Sequence, residues 1–152
     1  MATWISPDGF IDASVAWSDE TLAYDGNTGT YAYVQQASNA WTDICKFTFS
    51  ANVTNCTKIR IWVSMEPLLA DFGDLDVRVW HGASFEMIFT EKCAEGAYIE
   101  GAVSVEDEID SISIRFGGLT AKYGEQRLHE IQAYGEGGVL VVDPPAIPLG
   151  LG

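Results

Sequence analysis

Apolar and polar residues alternate along most of this chain with a period of two, the spacing of strands that bury one face. Over residues 42–49, Cys45, Phe47 and Phe49 share a side and Lys46 and Thr48 take the other. Residues 58–65 place Ile59, Ile61, Val63 and Met65 inward, with Lys58, Arg60, Trp62 and Ser64 outward. The pattern recurs at 75–81, where Leu75, Val77 and Val79 oppose Asp76, Arg78 and Trp80, and again at 85–89. It continues through 99–105, 111–116 and 127–134, and turn-forming stretches at 66–73, 81–84, 95–96, 106–110 and 117–126 separate the runs. No segment keeps a helical period. The expected fold is therefore all-β: a single sandwich or jelly roll of about eight antiparallel strands.

The pattern ends near Gly135. The tail that follows, GEGGVLVVDPPAIPLGLG, includes Pro144 and Pro145, which cannot donate to a ladder. It divides the chain into a domain over 1–135 and an extended arm over 136–152. The arm's Val139, Leu140, Val141, Val142, Ile147 and Leu149 are unfavourable in water, so docking on the sandwich or on a neighbouring chain is expected.

With 152 residues the chain suits one domain with a substantial core. Eight Lys and Arg stand against 22 Asp and Glu, a net charge of -14. That field disfavours nucleic acid and anionic membranes and favours cations or a basic partner. Cys45, Cys56 and Cys93 form neither a CxxC nor a Cys/His spacing, so reduced thiols are expected. The first residues, MATWISPDGF, lack the basic head and apolar run of a secretory signal, which predicts a protein made in the host cytoplasm. The sequons at Asn52 and Asn55 then read as chance.

The polar loop AYDGNTGTYA at 23–32 and the segment RLHEIQAYG at 127–135 together resemble the opening loop and closing strand of galactose-binding-like jelly rolls. That group includes the discoidin or coagulation-factor type C domains and several carbohydrate-binding modules. The resemblance extends over roughly 10–135 as a strand pattern. It implies a structural calcium held by Asp25, Asn27, Thr30 and Glu130, a chemistry suited to hard oxygen donors on a glycine-rich turn. An Asx-type turn that caps its own backbone is the alternative. Tyr31 stands where many relatives carry Trp, and the cysteine pair that joins the ends of secreted members is missing.

Catalytic chemistry is not indicated. His81 and His129 lie in or beside strands without a GxSxG-type nucleophile motif, and Asp71, Asp74 and Asp76 read as loop polarity leading into a strand. Trp62 and Trp80, beside Arg60 and Arg78, occupy the polar phase of their strands; they form a platform for a sugar or a protein partner, or else a loop or the C-terminal arm covers them. Among the end loops, Phe72 and Tyr123 are the aromatic candidates for a glycan site. The reading is a non-catalytic assembly protein on a virion surface, a phage capsid-decoration or tail-associated jelly roll. It would dock on other virion proteins or copies of itself through the arm and the Trp/Arg face. The alternative is a carbohydrate-binding module for attachment to glycans.

Overall fold

The computed structural model describes residues 2–35, 41–66, 74–89, 96–104, 108–117 and 125–137. They form the strands β1 (Thr3–Ile5), β2 (Gly9–Ile11), β3 (Trp17–Ser18), β4 (Ala32–Gln35), β5 (Cys45–Glu66), β6 (Asp74–His81), β7 (Ser84–Phe89), β8 (Tyr98–Ala102), β9 (Ile109–Gly117) and β10 (Glu125–Gly137). A 3₁₀ turn, Glu20–Tyr24, is the helical piece among the described residues. The all-β antiparallel expectation holds. The short strands β1 to β4 carry too few residues for a period-two signal and were not legible.

The largest difference from expectation is β5. The alternating runs at 42–49 and 58–65 belong to one strand of 22 residues that serves two sheets. Its first part pairs with β2 and β9, and its second with β10 and β8. Beyond β9 lie β6 and then β7, and beyond β10 lies β4 followed by β3, with β1 against the far end of β10. The change of sheet falls around residues 49–57, where the ladder slips and Asn55 takes φ 52°. Gly135 makes this crossing possible, because a Cβ there would come within 2.7 Å of the Thr54 carbonyl oxygen. The same strand β10 continues to Gly137, inside the span expected for the arm.

Inward side chains of both sheets form one cluster. Phe47, Ile59, Ile61, Val77, Ile112, Ile114, Phe116, Leu128 and Ile131 are fully buried or nearly so, each contributing about 1.5–3 kcal/mol relative to exposure. Trp17 closes one end, packed on Phe47 and Phe116 with its indole N–H donated to the Asp43 carbonyl. Cys45 and Cys56 are buried free thiols, as expected, and burial pushes the Cys56 thiol up to about 11. Because the inward sides share a core, the two outer faces point away from each other.

Candidate functional site

The loop after the 3₁₀ turn assembles around Asp25. Its Oδ1 accepts from the Asn27 backbone N–H at 2.9 Å and its Oδ2 from the Thr30 hydroxyl at 2.5 Å. Asn27 in turn accepts the Gly29 N–H at 2.8 Å, so the segment is two interlocked Asx turns. Glu130 reaches the loop from β10 and accepts the Gly26 N–H on Oε2 at 2.9 Å. All four residues expected at a cation site are thus brought together. Glu130 has no exposed surface, and its Oε1 has no hydrogen-bond partner.

Burial, reinforced by the neighbouring Asp25 carboxylate, pushes the Glu130 carboxyl up to about 7. Partial desolvation acts to raise Asp25 too, but Thr30, the Asn27 N–H and Glu130 outweigh it and hold that carboxyl below its usual value. A hydrogen bond between the two carboxyls raises Glu130 and lowers Asp25, so the proton they share resides on Glu130. Among the described residues no three His, Cys, Asp or Glu side chains are placed to share a metal, so a cation here would depend on loop oxygens as well as these two carboxylates.

Trp62 and Trp80 do not share a face. Trp62 and Arg60 lie on the outer side of the β10–β5–β8 sheet. There the Arg60 guanidinium sits 4.1 Å from the Trp4 ring and 4.0 Å from Tyr98, with Nε donating to Gln132 at 2.8 Å. Trp62 meets Tyr98 edge-on at 5.1 Å. The guanidinium is occupied on both faces, and this group fastens four strands rather than presenting a platform.

Trp80 and Arg78 lie on the outer side of the other sheet, in a longer array. Its centre is Asp76, expected as solvated polarity on the outward phase at the start of its strand but only 4% exposed in β6. Asp76 accepts Arg78 Nε and Nη2 at 2.9 and 3.0 Å and Arg115 Nε at 2.7 Å. Each arginine then lies over an exposed ring: Arg78 at 4.4 Å from Phe85, Arg115 at 4.7 Å from Trp41. Between them Trp80 donates its indole N–H to Ser113 at 2.9 Å, with Lys46 3.9 Å above the ring and Phe85 5.0 Å away. Phe85 is 46% and Trp41 40% exposed, so these rings are available to a ligand.

Trp41 was not anticipated, because it precedes its strand and carries no alternating pattern. Its ring covers Gly117, where a Cβ would stand 2.6 Å from the indole. Phe85 fell within a predicted strand but is visible as a site residue only once β7 is paired with β6. Phe72, Tyr123 and the arm residues Val139, Leu140, Val141, Val142, Ile147 and Leu149 lie outside the described residues. His81 donates its Nδ1–H to the Glu108 carbonyl oxygen at 2.7 Å, the structural role expected of it.

No protein-family model matches this chain, and no curated protein matches it. Solved structures do. The C-terminal domain of a chitobiase from Bacteroides fragilis is 12% identical with a TM-score of 0.63, the match covering 91% of this chain and 100% of that one. A chitosan-binding module from a chitosanase/glucanase of Paenibacillus sp. IK-5 is 14% identical with a TM-score of 0.57, covering 89% and 94%. A fucose binding module of Streptococcus pneumoniae is 14% identical with a TM-score of 0.53, covering 90% and 91%. At such identities the likeness is one of fold, and the fold is the galactose-binding-like jelly roll.

Proposed function

We propose that this chain is a non-catalytic carbohydrate-binding module that holds a saccharide on the outer face of the β7–β6–β9 sheet. One observation carries the reading: Trp41, Trp80 and Phe85 are propped on one face by cations, two of which are fixed by a single buried carboxylate, Asp76. Exposed aromatic rings stack on the apolar faces of sugar rings, and neighbouring guanidinium groups donate to hydroxyls. Because Asp76 fixes both arginines before a ligand arrives, less side-chain entropy is lost on binding.

The similarity to a chitosan-binding and a fucose binding module supports this class of ligand over the virion-assembly expectation. None of the three chains named above is a virion protein. The assembly reading rested on the arm, which beyond Gly137 lies outside the described residues, and on a single Trp/Arg face, whose two tryptophans are divided between the two sheets.

A structural calcium belongs to the same proposal. Asp25, Glu130 and loop oxygens would hold it, and the unpartnered Glu130 Oε1 fits that role. The ion would supply the positive charge that this buried oxygen lacks.

The test is a glycan array followed by calorimetric titration of the best ligand against wild type, Trp80→Ala, Trp41→Ala and Phe85→Ala. Each ring removed is expected to weaken binding about tenfold, the equivalent of about 1.4 kcal/mol. Absence of binding to any glycan, or binding indifferent to all three substitutions, removes the proposal.

A further inference from the structure

Away from the aromatic face, Ser64 and His129 meet across the outer side of the other sheet, 65 residues apart in sequence. Ser64 Oγ lies 2.6 Å from His129 Nε2, and His129 Nδ1 lies 2.7 Å from the Thr28 carbonyl oxygen. A carbonyl has no proton to give, so Nδ1 carries a hydrogen and donates to Thr28; whenever the ring is neutral, Nε2 is then the acceptor and the proton between it and Ser64 is the serine's own. This is a nucleophile, a base and an orienting acceptor in one line, with a main-chain carbonyl where a carboxylate often stands.

Two features hold the arrangement. His129 keeps the outward phase of Arg127, whose ladder partner is Ser64, so His129 is the diagonal neighbour of Ser64 on the same face. Tyr31 packs on that ring, with centroids 5.2 Å apart, and Arg127 lies 4.3 Å over Tyr31. Arg127 is also the residue directly opposite Ser64 in the ladder, with its Nε donated to Glu125 at 2.8 Å. Both Ser64 and His129 are only partly buried, so a small molecule can approach them.

We propose that Ser64 is an activated nucleophile that accepts an acyl group from small activated esters, with His129 as its general base. Ser64 Oγ attacks the ester carbonyl carbon while its proton passes to His129 Nε2. The bond from that carbon to the leaving oxygen then breaks, and the proton returns from Nε2 to that oxygen. The products are an acyl-serine and a free alcohol. Glycan binding on the opposite face does not depend on this chemistry, so either can fail alone.

The experiment treats the full chain with a biotinylated alkyl fluorophosphonate, which replaces fluoride by serine oxygen, and reads the adduct by intact mass and peptide mapping. Ser14, exposed in the turn after β2, is the internal standard. Labelling is expected at Ser64 at least 100-fold faster than at Ser14, the range of general-base assistance, and absent in Ser64→Ala. His129→Gln, folded by circular dichroism, is expected to lose most of that advantage. A Ser64 rate equal to that of Ser14, or one unchanged in His129→Gln, overturns the proposal. Should His129→Gln fail to fold, the wild-type ratio of Ser64 to Ser14 decides alone.

Discussion

Replacing Glu130 with Gln should stabilise this protein at alkaline pH in the presence of a chelator, although it removes a charged side chain from a strand. Glu130 has no exposed surface, and its carboxyl is pushed from an ordinary 4.5 up to about 7, first by burial and then by Asp25. In the unfolded chain it titrates at its ordinary value, so between those limits the folded state binds the extra proton. The stabilising effect of that proton is complete below about pH 4.5 and is lost as pH rises through about 7, since the fold must then hold a buried anion. At about 1.4 kcal/mol per unit the gap corresponds to about 3 kcal/mol. Gln keeps an oxygen for the Gly26 N–H and offers an amide donor toward Asp25, without a charge to bury. Thermal melts of both proteins in chelator at pH 4.5 and pH 8.5 measure the difference. At pH 8.5 the variant should gain about 3 kcal/mol, a rise of about 6–12 °C in Tm for a chain of this size. At pH 4.5 the two should agree within about 1 kcal/mol. Parallel pH profiles for the two proteins would refute the reasoning.

Calcium should raise the wild-type melting temperature at pH 8 and leave Glu130→Gln unchanged; a wild-type melt indifferent to calcium reduces the loop to a turn. Gly117→Ala should push Trp41 off its seat, costing about 1 kcal/mol of stability by overpacking. A larger effect on glycan affinity than on the melt would place Trp41 in the binding face, and an unaltered affinity would take it out. Asp76→Ala should cost about 3 kcal/mol, because it leaves Arg78 and Arg115 without their shared partner; urea denaturation showing less than about 1 kcal/mol would make the array a surface feature.

Much of the fold was legible because burial imposes its own period. Strands β6, β7, β9 and β10 appear where alternation placed them, and the core residues Ile59, Ile61, Val77, Ile112 and Ile114 were all identified by phase. The loop at Asp25 and its partner Glu130 were legible only through resemblance, since no local pattern links residues 104 positions apart in sequence. The Asp76 clamp was missed because a polar residue on the outward phase is normally solvated. Here it is covered by arginines supplied from its own strand and from β9.

Alternation by itself determined which side of each strand faces the core, because hydrophobic burial is a property of a residue and its neighbours two positions away. It could not determine which sheet a strand joins, as pairing partners are chosen across long separations in the chain. That choice, made where β5 passes from one sheet to the other, sends Trp62 and Trp80 to opposite outer faces. A one-residue slip in β10, invisible to any periodicity, lets Glu130 and Ile131 both be buried, Glu130 against the loop, while His129 keeps the outward phase of Arg127 and meets Ser64. The sequence set the alternating layers, and the tertiary structure decided which polar and aromatic groups meet on them.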